Sequence, residues 1–363
     1  MGLYRPQPWR KALRRLVYIV PTLIALWFFD RWVSDDAYVG WERNTVRNAE
    51  KRWSARTNAQ YAIMGSSTSR DWLSMNELAK YLGVPPHAFV DAHINGCHQG
   101  CTWASVRQMR QRHRLKRCRW RGKDRCSPPK QKRFKAVFFG LNLFQMCEFP
   151  HSKRGLQQSM LLPTEDIPSL LSVYTHAHAP LQYMGEYLGI RLSGALGDPR
   201  ALRDYWGQKW FGLIKHSKNY LWYRKTPLPP KSPFKSCGYT ADEVALKRAF
   251  TEALLDDLGE LADEVFLMIL PDATLSLTEA AHINRWQKHL ALHRQLARER
   301  PWVHLVDLAT DGMIHPNQYR DAFHLKKSAY AQQRKLLYRR LTELGTHRSR
   351  STRAPKSGAT GAK

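Results

Sequence analysis

Residues far apart in this chain have the types and settings that nucleophilic acyl chemistry needs. Ser66 and Ser67 follow Gly65 at the end of a short apolar run, Tyr61 to Met64. Such a run reads as a buried strand ending in a turn, and the hydroxyls of Ser66-Ser67-Thr68-Ser69 can cap a helix beyond it. A serine at a strand-to-helix turn carries its hydroxyl at the carboxyl edge of a sheet, beside backbone N–H groups that face an oxyanion. Acyl transfer by that hydroxyl also needs a base, and a carboxylate to orient the base. Asp321 and His324, spaced Asp-x-x-His ahead of the last helical stretch, supply both. The Asn142 side-chain amide and the N–H groups of Ser67 and Gly100 could donate to the oxyanion. Singly, each residue has a plainer explanation: a serine cap, a turn asparagine, a helix-opening glycine, an N-capping aspartate with a surface histidine. It is their order, and their shared place at strand ends or before the last helix, that points to chemistry.

The elements that must position them alternate strand and helix. Apolar runs predict strands over Tyr61–Met64, Phe89–Ile94, Lys135–Gly140, Val265–Leu270 and Val303–Leu308. Helical spacing predicts helices over Trp72–Leu82, Trp103–His113, Ala241–Leu261, Thr278–Arg298 and Ser328–Leu344. This is the α/β rhythm of a parallel sheet of about five strands, in which distant residues converge at the carboxyl edge. The expected layout places a stalk at 36–60 and the main domain at 61–344. Within that domain lie a basic insert at 107–135 and a helical cap insert at 156–238 over the carboxyl edge; a disordered basic tail follows at 345–363. His176 and His178 read as packing or surface residues.

Composition narrows the setting. With 363 residues and 43% hydrophobic content the chain can bury a real core, and a formal charge of +28 makes it a partner for polyanions. No RNA- or DNA-binding signature accompanies that charge, so nucleic acid ranks below a membrane or envelope polyanion. The basic insert holds fourteen Lys and Arg against the single Asp124. It reads either as a solvated loop or as a polyanion contact, pinched by a Cys118–Cys126 bridge. Cysteine spacings at Cys97/Cys101 and Cys118/Cys126 suit disulfides better than zinc. Cys97-His98-x-x-Cys101 could offer metal ligands, but no second pair completes a site, and no cofactor is expected. At the start, a basic segment precedes the uncharged run Leu16–Phe29 without a small-x-small cleavage site. Residues 1–35 therefore read as a cytoplasmic start and a retained single-pass anchor in the inner membrane, with the remainder outside, where disulfides persist.

The sequence resembles the SGNH (GDSL-like) hydrolase superfamily in its Gly65-Ser66-Ser67 turn, its Gly100 after the second strand, its Gly140-Leu141-Asn142 after the third, and its Asp321-x-x-His324-Leu325 near the C-terminus. The resemblance spans roughly Tyr61 to Leu344. It implies a flavodoxin-like α/β sheet, with Ser67 as nucleophile, Gly100 and Asn142 as oxyanion donors, Asp321 as orienting acid and His324 as base. Gly-Ser-Ser stands in place of Gly-Asp-Ser, which leaves open whether Ser66 or Ser67 attacks. The anchor and the helical insert are further similar to envelope members that work beside a membrane-bound O-acyltransferase. The implied activity is O-acyl transfer or ester hydrolysis on an acidic glycan or lipid-linked substrate. The alternatives are a non-catalytic scaffold of this fold and a polyanion-binding partner of such an acyltransferase.

Overall fold

A computed structural model describes residues 17, 19–28, 41–121, 133–142, 161–177, 241–273, 280–310 and 315–351, apart from 57, 96, 98 and 322. Five strands, β1 (Tyr61–Gly65), β2 (Phe89–His93), β3 (Phe134–Leu141), β4 (Ala262–Ile269) and β5 (Val303–Asp307), lie within three residues of the expected positions. They form one parallel sheet in the order β2-β1-β3-β4-β5. The near-continuous apolar runs of β3 and β4 are what a parallel strand covered on both faces requires. Strand order reverses between β1 and β3, and the crevice beyond their carboxyl ends is where open sheets of this order bind ligands.

The main helices are α1 (Trp41–Ala55), α2 (Ser67–Trp72), α3 (Met75–Leu82), α4 (Gln99–Arg121), α5 (Ile167–His176), α6 (Ala241–Leu261), α7 (Ala280–Arg298) and α8 (Tyr330–Ser351). Alternation along the strands divides the core into two layers. Ala62, Met64, Val137, Phe139, Val265 and Leu267 face α1, α4, α5, α6 and α7. Ile63, Ala136, Phe138 and Met268 face α2, α3 and α8. The single helix expected over Trp72–Leu82 is two: Leu73 is extended, and Ser74 restarts the chain by accepting from the Glu77 N–H at 3.4 Å.

Of the segment expected to be a stalk, Trp41–Ala55 packs as part of the domain. Val46, Ala49 and Trp53 of α1 are buried in the first core layer. Arg52 donates to the carbonyls of Asp91 at 3.1 Å and His93 at 2.6 Å, and Arg56 donates to that of Phe89 at 2.8 Å. Among the described residues β2 is an edge strand, so no neighbouring strand there takes these alternate carbonyls. Four helical residues rise about 6 Å, close to the roughly 6.6 Å of two strand residues, so arginines at i and i+4 match the edge.

The basic insert also starts differently from expectation: Arg107 to Arg121 continue α4. Arg107 pairs with Asp257 and, at 2.9 Å, with Asp166; Arg110 pairs with Asp257 and Glu260; Arg112 pairs with Glu50 at 3.2 Å. These three cations dock α4 onto α6, α1 and the turn before α5. The Cys118 side chain and Cys126 lie outside the described residues. Of the expected cap, the described part packs beside α6, with Tyr174 edge-on to Phe250 at 5.7 Å, while 178–238 lie outside. The expected tail begins as helix, since α8 runs to Ser351, and 352–363 lie outside. Within the expected anchor, residues 19–28 are helical with their large apolar side chains exposed. No helix among the described residues is long and apolar enough to cross a membrane.

Candidate active site

The site begins where β1 runs out. Gly65 ends the strand at φ +133°, a conformation favouring glycine, and a Cβ there would lie 2.6 Å from the Gly140 carbonyl oxygen and inside Ser69. Ser69 fills the space that Gly65 and Gly140 leave, donating to the Gly140 carbonyl at 2.8 Å. Ser66 is the N-cap of α2: its Oγ accepts from the Thr68 N–H at 3.3 Å and lies 2.8 Å from the Thr68 hydroxyl. Ser66, Thr68 and Ser69 are buried, and Ser67 alone of the four hydroxyl residues is half-open. Capping thus occupies Ser66 and leaves Ser67, the first residue of α2, facing out over the sheet edge.

Ser67 meets His324 there. Its Oγ lies 2.9 Å from His324 Nε2, across 257 residues of sequence, and His324 Nδ1 lies 2.9 Å and 3.0 Å from the two oxygens of Asp321. Asp321 also accepts the backbone N–H groups of Phe323 at 2.9 Å and His324 at 2.8 Å, so one carboxylate shapes the turn and orients the ring. Burial pushes the Asp321 carboxyl up, but the His324 ring and the two backbone donors outweigh it and hold Asp321 below the usual carboxylate range. A carboxylate on Nδ1 puts the proton there and leaves Nε2 free to accept from Ser67.

Asn142 follows β3, is 1% exposed, and donates from its amide to the Thr68 hydroxyl at 3.1 Å. It therefore sits against the residue beside Ser67. Gly100 is the second residue of α4, just beyond the loop that follows β2. β2 pairs with β1, His93 opposite Gly65, so that loop leaves from the same sheet edge as Ser67, and this shared edge is what relates Gly100 to the other residues. The loop is closed by a Cys97–Cys101 disulfide, which takes both thiols from the metal-ligand alternative.

The sequence reading missed three groups here. Thr68 links Asn142 to the cap, and Asp71 joins α2 to the segment that follows His324. A second carboxylate–imidazole pair, Asp91 Oδ1 to His93 Nδ1 at 2.8 Å, lies at the end of β2. Among the described residues no hydroxyl meets His93 Nε2, and burial lowers the pKa of this ring against the opposing pull of Asp91. Asp-x-His inside a strand puts both side chains on one sheet face, which is the signal that could have found it. Asp71 carried the weaker signal of lying four residues, one helical turn, beyond Ser67.

Among known proteins, no family model, curated sequence or solved structure matches the chain.

Proposed function

We propose that the chain is a serine-dependent enzyme of SGNH type acting on ester bonds, by acyl transfer or hydrolysis. Ser67 attacks an acyl carbonyl, His324 takes its proton, and Asp321 holds and stabilises the imidazolium. Asn142, with backbone N–H groups at the start of α2 and at Gly100, supplies donors for the oxyanion. The observation that carries this reading is the Ser67–His324–Asp321 relay, assembled at the strand-order switch from segments with no local reason to meet. Water would complete an esterase cycle, whereas a glycan or glycolipid hydroxyl would complete a transferase cycle.

The setting belongs to the same proposal. An exposed apolar helix over 19–28 behind a basic start favours a chain held in the inner membrane, with its domain on the extracytoplasmic side. The Cys97–Cys101 bridge suits that oxidising side. A charge of +28 there favours an acidic glycan or lipid-linked acceptor; the resemblance of the anchor and insert to envelope members adds a membrane-bound O-acyltransferase as a partner. The test is labelling of the full chain with a fluorophosphonate, followed by peptide mapping. Label on Ser67, lost in Ser67→Ala and kept in Ser66→Ala, is the expected result. A folded protein that takes no label would point instead to a scaffold that retains the fold without the reaction.

A further inference from the structure

We propose that Asp71 is a positioning residue of this site, joining the helix that carries the nucleophile to the segment that carries the base. The inference rests on the reading of Ser67, His324 and Asp321 given above. Asp71 is 6% exposed and lies one turn beyond Ser67 in α2. One carboxylate oxygen accepts the Leu325 N–H at 3.0 Å, and the other accepts the Tyr330 hydroxyl at 2.7 Å. Its carbonyl accepts from Arg334 Nε at 3.2 Å, so α8 is tied to the same residue.

The backbone around His324 is consequently held from two sides. Asp321 grips the N–H of His324 itself, and Asp71 grips the next N–H, that of Leu325. The second grip is the only one of the two that originates on α2. It therefore bears on the separation of Ser67 from His324, because Ser67 and Asp71 lie one turn apart in the same helix. A misplacement of about 1 Å between reacting groups can slow a reaction on the order of 100-fold.

The carboxylate also acts through its charge. Burial raises the Asp71 pKa, and the Tyr330 hydroxyl, His324, Arg320 and the Leu325 N–H oppose that rise. The groups around the two residues are Asp321 and Arg320 on the base segment, Tyr330 and Arg334 on α8, and Tyr319 with Asp272 behind them. An ionised Asp71 is thus a second negative charge, besides Asp321, that interacts with the His324 ring. Asparagine is nearly isosteric: its oxygen can accept from Leu325 and its amide can donate to the Tyr330 oxygen, so Asp71→Asn removes charge and keeps the tether.

The experiment compares the parent with Asp71→Asn, Asp71→Ala and Tyr330→Phe in the full chain. Fluorophosphonate labelling is followed against pH, the His324 ring titration by NMR, and melting at neutral pH. Asp71→Ala is expected to label about 100-fold more slowly than the parent. Asp71→Asn should melt no lower than the parent, because its folded carboxyl pKa is raised and the ionised form disfavours the fold at neutral pH. Its labelling profile and its His324 titration should both move to lower pH. An unmoved His324 titration in Asp71→Asn, or a parental labelling rate in Asp71→Ala, overturns the proposal. Should Asp71→Ala not fold, Tyr330→Phe and the Asp71→Asn titration decide. A parent without label on Ser67, but with a titration that moves in Asp71→Asn, would overturn the acyl-transfer reading and leave the Asp71–His324 link standing.

Discussion

The side-chain amide of Asn142 donates to the hydroxyl of Thr68, tying the residue after β3 to the residue after the open serine. Thr68 in turn lies against Ser66, so Asn142 and the helix cap form one buried chain of polar groups. Asn142→Ala should slow Ser67 labelling about 100- to 1000-fold, the range for loss of one oxyanion donor. It should also cost roughly 1–2 kcal/mol in urea unfolding, since a buried hydrogen bond is lost. An unchanged labelling rate with that stability loss would make Asn142 purely structural.

A second prediction concerns Asp321. Its folded pKa is depressed, so its contribution to stability is present above the unfolded value of about 3.9 and is lost as pH falls through the folded value. Asp321→Asn should thus be less stable than the parent at neutral pH, and the gap should close in acid below about pH 4. Labelling should fall on the order of 10,000-fold, because the amide favours the wrong tautomer of His324. Denaturant curves at neutral and acid pH measure the first effect. A stability gap that stays constant across pH would mean that the carboxylate contributes shape alone.

The third prediction is drawn from the edge of the sheet. Arg52 and Arg56 occupy the outward carbonyls of β2, and an uncovered edge strand is a template for pairing with another chain. Arg52→Ala with Arg56→Ala should lower the melting temperature and cause association at concentrations where the parent stays dispersed, read by light scattering. A monodisperse double variant with parental melting would show that α1 holds its place through Val46, Ala49 and Trp53 alone.

That helix shows where sequence reading succeeds and where it stops. The strands were legible because parallel strands buried on both faces must be apolar runs, and the relay residues because each sits at a strand end or before the last helix. α1 reads as a stalk because its charged residues mask a three-residue apolar stripe, and only the fold reveals that two arginines face a strand edge. The choice between Ser66 and Ser67 was equally hidden, since it depends on which hydroxyl the first turn of α2 uses as its cap. Asp71 was passed over because a carboxylate beside Arg70 in a helix reads as surface, whereas its partners lie 254 and 259 residues away.

The last prediction concerns the apolar helix over 19–28. Ile19, Val20, Leu23, Ile24, Leu26, Trp27 and Phe28 are exposed, and Pro21, Thr22 and Ala25 fill the remaining directions without charge. A helix with no polar face is not stable against water and needs an apolar surround on every side. Ten residues rise about 15 Å, half of the roughly 30 Å hydrocarbon core, so the described part would enter a bilayer and the flanking apolar residues would have to complete the span. On the proposed topology the basic start stays inside, everything after it would be exported, and Cys97 and Cys101 would meet an oxidising compartment. Membranes from cells should therefore release the protein to detergent and not to high salt. Alkylation without reductant should leave Cys97 and Cys101 unmodified, and a reporter fused after Lys363 should be active only outside the cytoplasm. Release by salt would mean that the basic surface holds the protein to lipid; free thiols at Cys97 and Cys101 would place the domain in the cytoplasm and remove the case for an envelope substrate.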